Sequence, residues 1–311
     1  MRATKKMSTA KKRGIVGVVG LGIMGGAFAK NLVGAGWRVV GYDIDPARRR
    51  ALAKAGVEIA PDTRHLAGTV RTIITSLPKP AALEATVAAI ADAGPRPVVV
   101  IETSTFALAD KLEAADTLKA AGHIMLDCPI SGTGAQAKTR DIVVYASGDR
   151  KAIKRLRPVF AGFARSAHDL GTLGNGSRMK YVANLLVAIN NVAAAEAMVL
   201  GIKAGLEPQN IYDMVRSGAG NSRIFELRAP MMVRNRYDDA TMKVAIWQKD
   251  MQVIGEFAEA LRCPTPLFTA TQPIYDAALA GGHAQDDTAS VCAVLEAKAG
   301  VRRKARKKTR T

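Results

Sequence analysis

The chain has 311 residues, 48% of them hydrophobic and 23% charged, with a net charge of +18. That length exceeds what one core usually supports, so two domains are expected. The charge looks like that of a nucleic-acid binder, but its placement argues against one: residues 1–13 hold six basic side chains, residues 298–311 hold eight, and neither run holds an acid.

Between those runs, 31 basic residues face 27 acidic ones, so the body of the chain is nearly neutral. Residues 1–13 and 301–311 read as basic, disordered tails, and any polyanion binding would reside there. Cys128, Cys263 and Cys292 lie far apart, which suits a reduced cytoplasmic protein, and the four scattered histidines give no metal spacing. The early run GIVGVVGLGIMGGAFA imitates a signal peptide, yet glycines interrupt it. No stretch reads as a membrane span.

In chain order, GIVGVVG is a buried parallel strand that passes directly into Gly20, Gly22 and Gly25, at G-x-G-x-x-G spacing, and then into a helix. The second strand, WRVVGYD, ends at Asp43. Gly20 allows a tight turn, Gly22 lets backbone approach a pyrophosphate, and Gly25 lets helix pack on strand. The helix start offers unpaired N–H groups to phosphates, and Asp43 stands where an acid accepts hydrogen bonds from a ribose. Asp43 favours NAD by repelling a 2′-phosphate, while Arg48, Arg49 and Arg50 leave NADP as the alternative. Further strands are expected at 71–78, 96–105, 123–130 and 141–148, alternating with helices in a doubly wound α/β sheet of Rossmann type. LPKP (77–80) and ETST (102–105) fall at strand carboxyl ends, where ligands bind in such sheets.

From Gly174 onward the pattern is helical, without strands. Asn175 or Ser177 can cap a helix that runs to about Ala204, a rod of roughly 40 Å. On a helical wheel Lys180, Asn184 and Asn191 share a stripe about 40° wide on an otherwise apolar surface. A lysine there is either a snorkelling surface residue or a functional one. The helices that follow make residues 175–300 an all-α domain after a dinucleotide domain at 14–174. A long helix with so few charges needs burial on every side, which predicts a homodimer or homotetramer.

Four ordered stretches resemble the β-hydroxyacid dehydrogenases, over roughly residues 14 to 300. They are GLGIMGGAFAKNL (20–32), DCPISGTGAQAK (127–138), GNGSRMKYVAN (174–184) and QKDM (248–251). The resemblance implies oxidation of a small β-hydroxy acid such as 3-hydroxyisobutyrate, or the reverse reduction, with a nicotinamide cofactor and no metal. It implies Lys180 as catalytic acid–base, with Asn184 holding the substrate. It makes Ser131 and Gly132 carboxylate ligands, with Thr133 beside them. It assigns Gly20, Leu21, Gly22, Ile23, Met24, Gly25, Leu77, Pro78 and Thr105 to the dinucleotide. Lys249 falls at the cofactor–substrate junction, with Asp250 beside it.

An ammonium with the ordinary pKa near 10.4 is a poor base at neutral pH, and burial or a second cation would bring it into range. The chain departs from the pattern at Thr133, where a glycine is usual, and at Arg140-Asp141, so the side chains of Thr133 and Arg140 are candidates for reshaping the pocket. Two other readings remain: an imine reductase, which shares the architecture but usually lacks the lysine, and a non-catalytic polyanion binder that uses the tails.

Overall fold

The computed structural model describes residues 13–303. The basic runs at 1–12 and 304–311 lie outside the described residues. The chain divides into two compact units, with the boundary between Lys180 and Tyr181.

The first unit is built on a six-stranded, all-parallel sheet. Its strands are β1 (Ile15–Val19), β2 (Arg38–Tyr42), β3 (Glu58–Ile59), β4 (Thr72–Thr75), β5 (Val99–Glu102) and β6 (Ile124–Asp127), in the order β3-β2-β1-β4-β5-β6. That is the doubly wound arrangement expected from the alternation of strands and helices. The chain reverses direction across the sheet between β1 and β4, so ligands are expected at that carboxyl edge.

Period-two alternation splits each strand between two cores. Val16, Val18, Val99 and Ile101 join Phe28, Leu32 and Phe163 on one face, whereas Val19, Val98 and Val100 join Leu66, Leu83 and Leu118 on the other. The first face is covered by α1 (Ile23–Gly34) and α7 (Arg150–Phe163), and the ring centroids of Phe28 and Phe163 lie 4.8 Å apart. The second face carries α3 (Thr63–Thr69), α4 (Pro80–Ala91) and α5 (Leu108–Ala120). Helix α2 (Pro46–Ala53) starts on an Asp45 cap with Pro46 at its first position.

The segment 141–148 does not extend the main sheet. Its strand, β8 (Val143–Ala146), pairs antiparallel with β7 (Ile130–Ser131) and parallel with β9 (Ser166–Asp169) in a separate three-stranded sheet. The two sheets touch through one antiparallel bridge, Asp127 to Ser147. The chain runs on from β6 into β7 in one register against β8, Asp127 opposite Ser147 and Ile130 opposite Val144, and reverses only across residues 132–142; a parallel addition would have needed a crossover.

Helix α8 (Asn175–Lys203) begins in the first unit and continues into the second, which also holds α9 (Pro208–Ser217), α10 (Arg223–Arg234), α11 (Val244–Ala260), α12 (Pro266–Ala278) and α13 (Val291–Lys298). Among the described residues this unit has no strand, only an isolated bridge between Lys243 and Asp287.

Two expectations need correction here. By length and composition α8 is long and apolar enough to cross a membrane. Its inward polar side chains are nevertheless engaged by protein: Asn191 Nδ2 donates to Tyr275 Oη and to the Thr288 carbonyl, both at 2.9 Å, and Asn184 donates to Asp250. The second correction concerns Arg303, counted above with the C-terminal tail. It folds against the helical unit, donating to Glu296 and, at 2.6 Å, to the Met232 carbonyl.

Phe28 is fully buried between α1 and α7. Phe28→Ala is expected to remove about 3–5 kcal/mol from the first unit. Urea unfolding should show an earlier midpoint for that unit's transition and an unchanged one for the helical unit.

Candidate functional site

The glycine loop joins β1 to α1 at the sheet's switch point. Gly20 has φ of +87°, and a Cβ there would lie 2.2 Å from the Ser76 carbonyl oxygen. At Gly25 a Cβ would lie 1.9 Å from the Gly20 carbonyl oxygen. Both positions are closed to any side chain. Gly22 differs, because a Cβ there meets nothing nearer than Arg48 Nη1 at 3.6 Å. It is the residue before α1, and no side chain caps that helix. Open space over an uncapped helix start is what a pyrophosphate requires, so the loop fits a dinucleotide.

Asp43 is buried, and the protein itself uses both of its carboxylate oxygens. Oδ2 accepts the Leu21 N–H at 2.7 Å and lies 3.3 Å from Arg48 Nη1, while Oδ1 accepts the Asp45 N–H at 2.8 Å. Asp43 therefore ties the glycine loop to the end of β2. Of the three arginines that follow, Arg48 faces Asp43 and Asp45, Arg49 lies over the Tyr42 ring and Arg50 is exposed. Ile23 is exposed at the loop, whereas Leu21 is buried and Met24 packs against the core.

A chain of polar contacts crosses the carboxyl ends of β4, β5 and β6. The Leu77 N–H donates to Ser104 Oγ at 2.9 Å, and the Ser104 N–H donates to Glu102 Oε1 at 2.9 Å. Lys111 Nζ lies 2.7 Å from Glu102 Oε2 and 2.8 Å from Asp127 Oδ1. Asp127 then accepts the Ser177 hydroxyl at 2.8 Å and the Ser177 N–H at 2.7 Å. Pro78 is exposed and Thr105 half-buried along this edge. Lys111, Glu102 and Asp127 are essentially inaccessible to solvent. Burial alone would lower the ammonium pKa of Lys111, but the two carboxylates outweigh it and hold the pKa above its ordinary value. The neighbouring Cys128 thiol is pushed well up, by burial first and by Asp127 second, and is no nucleophile.

Neither Asn175 nor Ser177 caps α8 in the way the sequence suggests. The Asn175 side chain donates to the Leu170 carbonyl, and the Ser177 hydroxyl donates to Asp127. The helix start is satisfied from outside its own sequence: the Gly176 N–H goes to Ser147 Oγ and the Ser177 N–H to Asp127. At Gly176 a Cβ would lie 2.4 Å from the Tyr145 carbonyl oxygen, so the helix start sits directly on strand backbone. Lys180 follows within the first two turns and is half-buried.

Ser131 ends β7, and Gly132 follows with φ of +136°. Thr133 is the N-cap of α6 (Gly134–Lys138), and its hydroxyl is spent there. It accepts the Gln136 N–H at 3.4 Å, while Gln136 Oε1 accepts the Thr133 N–H at 3.0 Å. Arg140 is exposed in a left-handed turn after α6, and Asp141 pairs with Arg165 at 3.1 Å. Asn31 Nδ2 donates to the Ala137 carbonyl at 2.7 Å, fastening α6 to α1.

The helical unit holds its own cluster. Buried Asn184 donates to Asp250 Oδ2 at 2.8 Å, and Lys249 Nζ lies 3.5 Å from Asp250 Oδ1. Asn191 is committed to Tyr275 and Thr288, so its part is structural. Sequence reasoning missed Glu102, Lys111 and Ser147. Among the described residues no group of three His, Cys, Asp or Glu side chains could hold a metal ion.

Comparison with known proteins agrees with this geometry. Residues 15–174 match the NAD binding domain of 6-phosphogluconate dehydrogenase, and residues 174–295 match the NAD-binding model of NADP-dependent 3-hydroxyisobutyrate dehydrogenase. L-threonate dehydrogenase of Haemophilus influenzae is 31% identical over 285 residues, covering 90% of this chain and 94% of the relative.

The chain belongs to the β-hydroxyacid dehydrogenase family.

Like other β-hydroxyacid dehydrogenases it is an NAD(P)-dependent oxidoreductase of hydroxy acids. The crystal structure of 3-hydroxyisobutyrate dehydrogenase from Salmonella typhimurium superimposes with a TM-score of 0.81 at 32% identity, covering 91% of this chain and all of that one. An imine reductase from Streptomyces aurantiacus, 18% identical with a TM-score of 0.63 over 90% of this chain and 99% of its own, shares the fold alone.

Lys111→Met is expected to cost about 3–5 kcal/mol, because it leaves two buried carboxylates unpaired. Thermal unfolding reads the loss, and adding Glu102→Gln should restore part of it. The raised pKa of Lys111 sets the pH window of its contribution. That contribution is full below the ordinary lysine value of about 10.4 and fades only as pH climbs past it toward the folded value.

Proposed function

We propose that this enzyme oxidises a small β-hydroxy acid to its semialdehyde or keto acid, or catalyses the reverse reduction, with Lys180 as general acid–base. What supports the reading is one placement: Lys180 and Asn184 stand one turn apart on α8, the helix whose start is fixed on Asp127. Oxidation gives up a hydride, which a nicotinamide accepts when the dinucleotide is bound. Lys180 then takes the hydroxyl proton, and in reduction it returns a proton to the carbonyl oxygen. Asn184, oriented by Asp250, holds that oxygen in line.

Ser131 and Gly132 receive the substrate carboxylate, and Thr133 acts through the helix it caps. The glycine loop (Gly20, Leu21, Gly22, Ile23, Met24, Gly25) holds the pyrophosphate, with Leu77, Pro78, Thr105 and Lys249 also toward the cofactor. NAD is the favoured nucleotide, because Asp43 and Asp45 put two carboxylates beside the loop and Arg48 is already engaged by both. The relatives named for L-threonate and 3-hydroxyisobutyrate bracket the substrate class, and the free cysteines support a cytoplasmic location.

The test is nucleotide reduction with NAD⁺ and, in parallel, NADP⁺ against 3-hydroxyisobutyrate, L-threonate, glycerate and serine. At least one acid should be turned over, with NAD⁺ preferred. Lys180→Ala should lower kcat by about 10²–10⁴-fold while leaving NAD⁺ affinity unchanged. A Lys180→Ala enzyme of near-normal kcat would end the assignment.

We further propose a homo-oligomer assembled through the helical unit, as a homodimer or homotetramer. Val182, Leu186 and Leu200 of α8 are more than half exposed, as are Met214 and Leu267. Light scattering at micromolar concentration should show at least a dimer, and Leu200→Glu should shift the population toward monomer.

A further inference from the structure

We propose that the amino-terminal edge of the main sheet carries a second ligand site, for a compact oxyanion of the phosphate type. Three neighbouring strands build it. Arg71 immediately precedes β4, Val98 precedes β5 and His123 precedes β6, and the parallel register brings the three together. The Val99 N–H donates to the Arg71 carbonyl and the Ile124 N–H to the Val98 carbonyl, both at 3.0 Å. Around them lies a cavity of about 210 Å³ whose wall includes Arg71, Arg96, His123, Gly68 and Gly94. Among the described residues no acidic side chain lines it.

His123 decides the polarity of the site. The residue is 4% exposed, and its Nδ1 accepts the Val98 N–H at 3.3 Å. A neutral ring whose Nδ1 accepts carries its hydrogen on Nε2. That Nε2 is buried and has no hydrogen-bond partner among the described residues. A buried donor left unmet is costly, and because His123 lines the cavity we infer that an acceptor lodged there is what would satisfy it.

The two arginines add charge of the matching sign. Arg71 commits one Nη1 hydrogen to the Val70 carbonyl at 3.0 Å, which leaves most of its five donors for an anion. The volume is below the roughly 300–1,000 Å³ typical of pockets for larger organic ligands, so a nucleotide is too big while phosphate fits. The site is distinct from the glycine loop: β4, β5 and β6 have four residues each, and about 13 Å of strand separates their two ends.

The experiment uses the full chain saturated with NAD⁺, so that the dinucleotide loop is filled. Ring-proton NMR signals of the four histidines are followed while inorganic phosphate, or acetate at equal ionic strength, is added at fixed, mildly alkaline pH. His123→Gln identifies the His123 signal by its disappearance. The expected result is movement of that signal with half-saturation on the order of millimolar phosphate and a much weaker response to acetate. Arg71→Gln/Arg96→Gln, which alters only exposed side chains, should raise the half-saturation concentration by about tenfold or more. The proposal fails if the His123 signal stays still throughout the phosphate titration. It fails equally if acetate moves the signal as strongly, or if the double arginine variant responds as the wild type does.

Discussion

The carboxylate of Asp127 is the point on which the first unit's chemistry rests. It ends β6, bridges to the second sheet through Ser147, and receives the first turn of α8 through Ser177. Such a group would be ruinous if left alone in the interior. Lys111 and the partial positive charge of the helix start make it tolerable. The same charges that stabilise the carboxylate therefore fix where α8 begins, and with it the position of Lys180. Gly176 completes the arrangement, since its missing side chain lets the helix approach strand backbone directly.

Much of the dinucleotide half was legible because its signals are steric. Gly20 and Gly25 are required by contacts that any Cβ would violate, and the buried strands stand out as apolar runs. Sheet membership was harder to read. The segment around β8 has the composition of a core strand, but composition does not say which strand it pairs with, and here the reversal after β7 brings it back antiparallel into a second sheet. Lys111 was invisible: in an amphipathic helix a lysine reads as a surface residue, and only the spatial approach of Glu102 and Asp127 reveals otherwise. Helix α7, with Pro158 inside it, was not read as a helix.

Thr133 shows the opposite case, a signal present and passed over. Threonine followed three residues later by glutamine is the signature of a capping box, and the structure uses both side chains that way. Resemblance drew attention to what the residue replaces, whereas local chemistry explains what it does. Asn184 and Asn191 teach a related lesson. Both face inward on α8, so a helical wheel cannot separate them. Their partners do: an Asp250 carboxyl beside a lysine for one, a tyrosine hydroxyl and a carbonyl for the other.

Asp43 carries a consequence for how nucleotide preference can change in this enzyme. Its carboxylate holds the N–H of buried Leu21 and so sets the shape of the glycine loop. Replacing it would strand that donor at a cost of about 1–3 kcal/mol, whatever it did to the bound nucleotide. Position 43 is therefore a poor place from which to redesign cofactor choice. The freedom lies in the exposed residue just beyond it, Ile44, where selection or engineering can rewrite the surface without touching the carboxylate that holds the loop.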